Sequence, residues 1–328
     1  MNAVQTIRQS ALPQVAHMRC PACKKDMGEL AFADATAGVR CDLCGFEIGS
    51  RNGIWRALPP CRELYFRRFV AEYAAIRQRE GRGSDSAEYY LALPFRDLSG
   101  RNAWQWKIRA SSFRSLERKV LPELEAKSRG SLSVLDIGAG NGWLSYRLAL
   151  RGHECIAADL LDNGSDGLGA ARHYQSSVRW PITTVQAEMD HLPFSDQQFD
   201  LVVFNAAFHY SENYARTLSE AVRCLRPGGC VAILDTPWYE RDESGRAMVL
   251  EKYASFEKQH GTRSDSIASL EYLTPERLRG LERVCGLQWK SAEAWYGWKW
   301  ALRPWQASLQ GRRVPSKFRL FWATVGSA

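Results

Sequence analysis

The segment "VLDIGAGNG", from Val134 to Gly142, constrains the fold of this 328-residue chain more than any other. A short apolar run ends near an aspartate, three glycines alternate with other residues, and a helical stretch then begins at Trp143. Glycine lacks a side chain, so it adopts positive φ angles and lets a ligand approach the backbone closely. The helix that follows offers free N–H groups and the positive end of its dipole. The segment therefore predicts a strand–turn–helix unit that holds the polar part of a nucleotide-like ligand.

The sequence after Ser131 alternates between strand and helix patterns. Continuous apolar runs such as "LSVLDIG", "HECIAADL" and "FDLVVFNAAF" suit strands that are buried on both faces. Amphipathic stretches such as "NYARTLSEAVRCLRPGG" separate the strands. This alternation predicts a parallel sheet with helices on both of its faces. Asp159 ends the second strand, 17 residues after Gly142, where an acidic side chain can bind a ribose diol.

The glycine run differs from the dinucleotide fingerprint G-x-G-x-x-G, because with Asp136 it reads D-x-G-x-G-x-G. Over roughly residues 131–240, the chain resembles the class I S-adenosylmethionine-dependent methyltransferases, specifically the type 11-like group. The segments "LDIGAGNGWLS", "AADL", "AEMDHLPFSDQQFDLVVFNAAFHY" and "LRPGGCVAILD" are similar to that family's motifs, in the same order. The resemblance implies an α/β fold with a Rossmann-like, seven-stranded sheet, mostly parallel, that ends in an antiparallel C-terminal hairpin.

The resemblance also implies S-adenosylmethionine as the cofactor and assigns residues to its site. The glycines would face the methionine moiety and the ribose, and Asp159 would take the ribose hydroxyls. Residues 187–189 would lie against the adenine, and residues 205–206 would border the methyl group. The residues expected to bind the cofactor are Asp136, Gly138, Ala139, Gly140, Asn141, Gly142, Asp159, Leu160, Ala187, Glu188, Met189, Asn205 and Ala206.

The segment "NAAFHY" follows the predicted fourth strand. It lacks the Asn/Asp-Pro-Pro-Tyr signature of amino-methylating DNA enzymes and the Pro-Cys of cytosine-C5 enzymes. It resembles the group that methylates quinones and other small molecules, in which a histidine often follows this strand. His209 is therefore the candidate general base or orienting group, and Tyr210 borders the same mouth. Packing at a strand end is the alternative for His209, since alignment alone can support methyl transfer.

Four of the nine cysteines form two C-x2-C pairs, Cys20 with Cys23 and Cys41 with Cys44. Each pair can supply two thiolates from one tight turn, and two such turns complete a tetrahedral zinc site. All four ligand positions are filled by protein, which predicts a structural rather than a catalytic zinc ion. The odd total of cysteines argues against a disulfide framework.

Composition and the positions of chain-breaking residues predict three domains. Residues 1–60 are expected to form a separate zinc ribbon, and residues 61–128 a helical linker and cap. Residues 129–328 are expected to form the methyltransferase domain, with a lid-like insertion at 240–270 and the C-terminal hairpin at 286–326.

The chain is 45% hydrophobic and 24% charged, which is typical of an ordinary globular protein. It contains no apolar run of about 18 residues, so neither a membrane span nor a membrane partner is expected. The first 20 residues lack the apolar core of a secretory signal, so a cytoplasmic location is expected.

Three functions fit these features. The first is a small-molecule methyltransferase, which "NAAFHY" and the long insertion favour. The second is an RNA methyltransferase, because the ribbon also resembles the N-terminal ribbon of bacterial ribosomal-RNA guanine-N1 methyltransferases and the net charge of +8 could hold phosphates. The third is an inert adaptor, because the ribbon is similar to small ribbon proteins that serve as partners of methyltransferases.

Overall fold

The computed structural model describes residues 14–34, 36–128 and 130–326. Residues 1–13 lie outside the described residues. The predicted ribbon domain and the expectation of no secretory signal both include them. The strands are β1 (Val15–Arg19), β2 (Asp26–Ala31), β3 (Gly38–Arg40), β4 (Glu47–Arg51), β5 (Ile54–Arg56), β6 (Ser133–Ile137), β7 (Glu154–Asp159), β8 (Thr183–Gln186), β9 (Phe199–Asn205), β10 (Leu225–Leu234), β11 (Lys290–Glu293) and β12 (Arg319–Thr324). The α-helices are α1 (Pro60–Arg79), α2 (Ala87–Ala92), α3 (Ala103–Lys119), α4 (Leu121–Lys127), α5 (Trp143–Leu150), α6 (Tyr214–Cys224), α7 (Asp242–His260), α8 (Pro275–Cys285), α9 (Trp298–Ala301) and α10 (Arg303–Leu309).

Seven strands form the predicted sheet in the order β11-β12-β10-β9-β6-β7-β8. Strands β6 to β10 pair in parallel, whereas β12 pairs antiparallel with both β10 and β11. The central strands are buried along almost their whole length, as their continuous apolar runs predict. The mostly parallel sheet and its antiparallel C-terminal hairpin are therefore confirmed.

The ribbon is part of this sheet. Strand β5 pairs in parallel with β8, through Trp55 opposite Val185, and β4 and β3 continue the sheet beyond it. Met18 and Ile48 are fully buried in the same apolar core as the strands of the main sheet. The boundary at residue 60 stays a prediction, but the two parts share one sheet and one core.

Helix boundaries follow local chemistry. Thr274 caps α8 by accepting a hydrogen bond from the Arg277 N–H at 3.2 Å, and Gly286 ends the helix with a φ of 64°. Helix α1 lies over the carboxyl ends of the parallel strands, where Phe66 and Phe69 pack with Ile267. The predicted cap thus borders the edge of the sheet where ligands bind in such folds. None of the helices described is long and apolar enough to cross a membrane.

Candidate functional site

The turn between β6 and α5 depends on its glycines. Gly138, Gly140 and Gly142 have φ angles of 70°, 56° and 78°, in the left-handed region that disfavours other residues. A Cβ atom on Gly138 would also lie 2.2 Å from the Cβ of Ala207, so no side chain fits there. The turn can therefore form only with glycine at its first position.

Asp159 joins this turn to the end of β7. Its Oδ2 accepts a hydrogen bond from the Gly140 N–H at 2.7 Å, and its Oδ1 accepts one from the Leu161 N–H at 2.8 Å. Burial raises the pKa of this carboxyl group, and the two N–H groups oppose that change. Each carboxylate oxygen has a further lone pair, so Asp159 can still accept hydrogen bonds from a sugar diol.

A cavity opens beside the turn and Asp159. It contains most of the residues that the sequence assigns to the site: Gly138, Gly140, Asp159, Leu160, Ala187, Glu188, Met189, Ala206 and Tyr210. The carboxyl ends of β6 to β9 therefore converge on one cavity, as the sequence predicts.

The other expected site residues lie outside the cavity lining: Asp136, Ala139, Asn141, Gly142, Asn205 and His209. Asp136 is fully buried beneath the turn and accepts a hydrogen bond from the Ser145 hydroxyl at 2.8 Å. Asn141 accepts a hydrogen bond from the Trp143 N–H at 3.2 Å. These two polar residues therefore support the turn from within the protein.

The opposite wall of the cavity comes from α1 and was not predicted from the sequence. Phe66, Phe69 and Tyr73 line it, at the i, i+3 and i+7 spacing of one helix face. That spacing was the signal available in the sequence. Ile267, in the predicted insertion, completes the apolar wall.

Glu188 ties α1 to the sheet. Its side chain is only 2% exposed and receives a two-pronged hydrogen bond from Arg62 of α1, with the shortest distance 2.7 Å. His191 Nδ1 lies 2.6 Å from the same carboxylate. Burial alone would raise the pKa of Glu188, but the hydrogen bonds from His191 and Arg62 lower it overall. Glu188 is therefore charged and attaches α1, which forms one wall of the cavity, to the sheet.

His209 and Tyr210 lie in a short 3-10 helix, Phe208–Tyr210, after β9. Tyr210 lines the cavity, and its ring centroid is 5.7 Å from that of Tyr73. Burial lowers the pKa of His209 to about 3, and the charges of Lys252 and Arg109 act in the same direction. Because a general base works best with a pKa near the operating pH, this neutral imidazole is better suited to orienting a partner.

Buried polar atoms gather near His209 at the ends of β9 and β10. Among the described residues, no hydrogen-bond partner exists for Asn205 Oδ1, His209 Nδ1, Asp235 Oδ2 or Thr236 Oγ1. Ser112 of α3 donates to Asp235 and lies 2.9 Å from the Tyr296 hydroxyl. Buried polar atoms are costly without partners, so this group of atoms has capacity for a polar ligand.

The four expected zinc ligands come together in the ribbon. The sulfur atoms of Cys20, Cys23, Cys41 and Cys44 all lie within 4.8 Å of one another. The Cys20–Cys44 and Cys23–Cys41 sulfur pairs are 3.5 and 3.4 Å apart, too far for disulfide bonds. Sulfur atoms around a tetrahedral zinc are about 3.8 Å apart, so the cluster fits that ion.

The two cysteine turns have the same backbone design. The Cys20 carbonyl accepts from the Lys24 N–H at 2.9 Å, and the Cys41 carbonyl accepts from the Gly45 N–H at 3.0 Å. Lys24 and Gly45 both have positive φ angles, 68° and 73°. Equivalent turns present each cysteine pair in the same way, which is what a symmetrical four-sulfur site requires.

Comparisons with known proteins agree with this geometry. A family model described as a methyltransferase domain matches residues 135–233, which begin next to Asp136 and end in β10. The ubiquinone/menaquinone biosynthesis C-methyltransferase of Bartonella tribocorum is 31% identical over 115 residues, which cover 33% of this chain and 44% of that protein. The malonyl-[acyl-carrier protein] O-methyltransferase of Methylococcus capsulatus is 33% identical over 111 residues, covering 30% of this chain and 35% of that protein.

The strand order of the sheet and the glycine turn are those of the class I α/β methyltransferase fold. Residues 135–233 match the model of a methyltransferase domain, and the four-cysteine cluster fits a zinc ribbon. The matched region spans less than half the length of either relative. A solved S-adenosylmethionine-dependent methyltransferase from Mesorhizobium loti has a TM-score of 0.43 and 21% identity, over 62% of this chain and 96% of that one.

Proposed function

We propose that this protein transfers a methyl group from S-adenosylmethionine to a small-molecule acceptor. One observation carries the proposal: a left-handed glycine turn and the Asp159 carboxylate open together on one cavity at the carboxyl ends of the parallel strands. The family match over residues 135–233 supports the same activity. The proposal selects one of the three functions that the sequence left open.

The residues of this chain would hold the cofactor and exclude water. When bound, S-adenosylmethionine supplies a reactive methyl group on a sulfonium, so transfer is an in-line displacement. Asp159 would accept hydrogen bonds from the ribose hydroxyls, and the backbone of Gly138 and Gly140 would lie against the polar part of the cofactor. Phe66, Phe69 and the other apolar residues of the wall keep water out. Alignment of donor and acceptor supplies most of the catalysis in such a site.

The buried polar atoms at the ends of β9 and β10 are the proposed acceptor site. Ala206 borders the cavity, and its neighbour Asn205 has the unpartnered Oδ1. His209 and Asp235 would orient a polar acceptor by hydrogen bonds, and Tyr210 would cover it. The apolar wall supplied by α1 and the buried position of these polar atoms favour a small acceptor over a nucleic-acid strand. The two relatives bear names that describe a quinone-pathway C-methyltransferase and a malonyl-carrier O-methyltransferase, and neither name mentions RNA.

We also propose that the four cysteines bind a structural zinc ion. All four ligands come from protein, so no position remains for a substrate or water. The ion would fix the two cysteine turns, which in turn support β3 and β4 at the edge of the sheet.

Calorimetric titration with S-adenosylmethionine tests the proposed activity at its first step. Gly140→Arg is expected to abolish binding, because the new side chain would fill the turn beside the cavity. Gly152→Arg is the matched control, since Gly152 also has a positive φ, of 93°, but faces open space beyond α5. The control should bind the cofactor like the natural protein. Undetectable affinity in the natural protein would leave the inert-adaptor reading in place, and retained binding in Gly140→Arg would refute the proposed location.

A further inference from the structure

The long connection between β11 and β12 exposes an apolar ridge. Helical hydrogen bonding runs from α9 through Leu302 into α10, so residues 298–309 form one continuous helical surface. Four large apolar side chains recur on it at intervals of four, three and four residues, which places them on one face. The ridge consists of Trp298, Leu302, Trp305 and Leu309, exposed by 76%, 47%, 63% and 69%.

The ridge does not serve the packing of the protein. The opposite face of the same segment already attaches it, because Trp300 stacks on Phe318 with ring centroids 5.4 Å apart. Arg303 lies over the Trp300 ring at 3.4 Å on that inner face. An exposed apolar surface that the fold itself does not use is typical of a site that binds a protein or a membrane. Trp295, 61% exposed, extends the apolar surface, with its ring 5.1 Å from that of Trp298.

The charge around the ridge indicates the partner. Residues 294–328 contain six Lys and Arg residues and no Asp or Glu. Arg313, Lys317 and Arg319 pair with glutamates elsewhere in the chain. Lys299 and Arg312 are exposed and form no ion pair within the described ranges. Exposed cations beside a Trp and Leu surface are the pattern of helices that lie in the interface of an anionic bilayer.

We propose that this ridge docks on the surface of a membrane that contains anionic lipids. Tryptophan and leucine would enter the interfacial region, and Lys299 and Arg312 would contact the lipid phosphates. A second copy of the chain fits less well, because a symmetric contact would place these cations against each other. Nucleic acid also fits less well, because Leu302 and Leu309 offer no flat ring for base stacking. Docking of this kind needs no spanning helix, so it revises the expectation that the protein has no membrane partner.

Vesicle co-sedimentation of the full-length protein tests the proposal. Vesicles of phosphatidylcholine with added phosphatidylglycerol should bind the protein at least about tenfold more tightly than vesicles of phosphatidylcholine alone. Trp298→Ser with Leu309→Ser should weaken binding by about tenfold or more. Leu250→Ser with Val284→Ser is the matched control, because these residues are 65% and 64% exposed but lie on α7 and α8. Lys299→Gln with Arg312→Gln should remove the preference for phosphatidylglycerol.

Three results would overturn the proposal. They are absence of binding to phosphatidylglycerol vesicles, equal binding by the ridge and control variants, and a ridge variant that loses only self-association or only RNA binding. Circular dichroism of each variant shows whether it is folded. The readout is lipid binding, so it stands or falls separately from cofactor binding and methyl transfer.

Discussion

Asp136 lies under the glycine turn with no exposure to solvent, and burial raises the pKa of its carboxyl group to about 7. One oxygen accepts from Ser145, and Oδ1 has no partner among the described residues. The pKa of an aspartate in an unfolded chain is about 3.9. Between these two pKa values the folded state holds a proton that the unfolded state releases. Asp136 therefore lowers the free energy of unfolding as the pH rises, and this destabilisation is complete above its folded pKa.

Asp136→Asn is expected to remove this destabilisation. The unfolding free energy of the variant minus that of the natural protein should increase by about 3 kcal/mol between pH 5 and pH 8. Urea unfolding at a series of pH values measures the difference directly. The control is Asp85→Asn, at an exposed carboxyl, which should leave the pH dependence of the natural protein unchanged. A constant difference between Asp136→Asn and the natural protein across this range would contradict the buried, protonated carboxyl.

At the scale of elements, the partly buried ion pair of Arg62 with Glu188 helps to attach α1 to the sheet. Arg62→Met should lower the unfolding free energy by about 3 kcal/mol, because Glu188 would keep its charge in a buried site with only His191 beside it. It should also weaken cofactor binding, since Glu188 and the face of α1 line the same cavity. Thermal and urea unfolding give the first effect, and calorimetric titration gives the second.

Arg68→Met is the matched control for this prediction. Arg68 also lies on α1 and pairs with Glu72, but its side chain is 73% exposed. Its loss should cost less than about 1 kcal/mol and leave cofactor affinity unchanged. Adding Glu188→Gln to Arg62→Met should recover part of the lost stability. Equal effects of the two arginine variants would show that α1 is not held by Glu188.

Elements whose signals are local could be predicted from the sequence. Strands β6, β7 and β9 and the glycine turn depend on residues close together in the chain, and all were predicted. The helix predicted through Pro227 ends at Cys224 instead, because residues 225–229 already belong to β10. Two features depend on distant residues and were not predicted. Strand β5 has only three residues, Ile54–Arg56, and its partner strand β8 lies about 130 residues later in the sequence. The hydrogen bonds of Ser112 with Asp235 and Tyr296 join three separate parts of the chain. The periodicity of hydrophobic residues does not indicate such long-range contacts.

At the scale of the whole molecule, the ribbon and the methyltransferase domain are mechanically one body. Strand β1 contacts the loop before β9, where the Arg19 N–H donates to the Pro193 carbonyl at 2.9 Å. Met18 meets Phe194 at the same place, and both are fully buried. Strand β5 pairs along the free edge of β8, and β8 leads directly to Ala187 and Glu188 in the cavity. Loss of order in the ribbon should therefore reach the cofactor site through β5 and β8.

Cys41→Ser tests this coupling together with the proposed zinc. The variant should bind less than one zinc per chain by elemental analysis, and it should unfold in one transition at a lower temperature than the natural protein. Hydrogen exchange should show faster opening of β3, β4, β5 and β8, while the amides of α5 after the glycine turn keep their protection. Cys61→Ser, at an exposed cysteine outside the cluster, should retain zinc and the natural melting temperature. Unchanged metal content in Cys41→Ser would count against zinc. Two separate transitions, with only the first affected, would show that the ribbon folds apart from the sheet it extends.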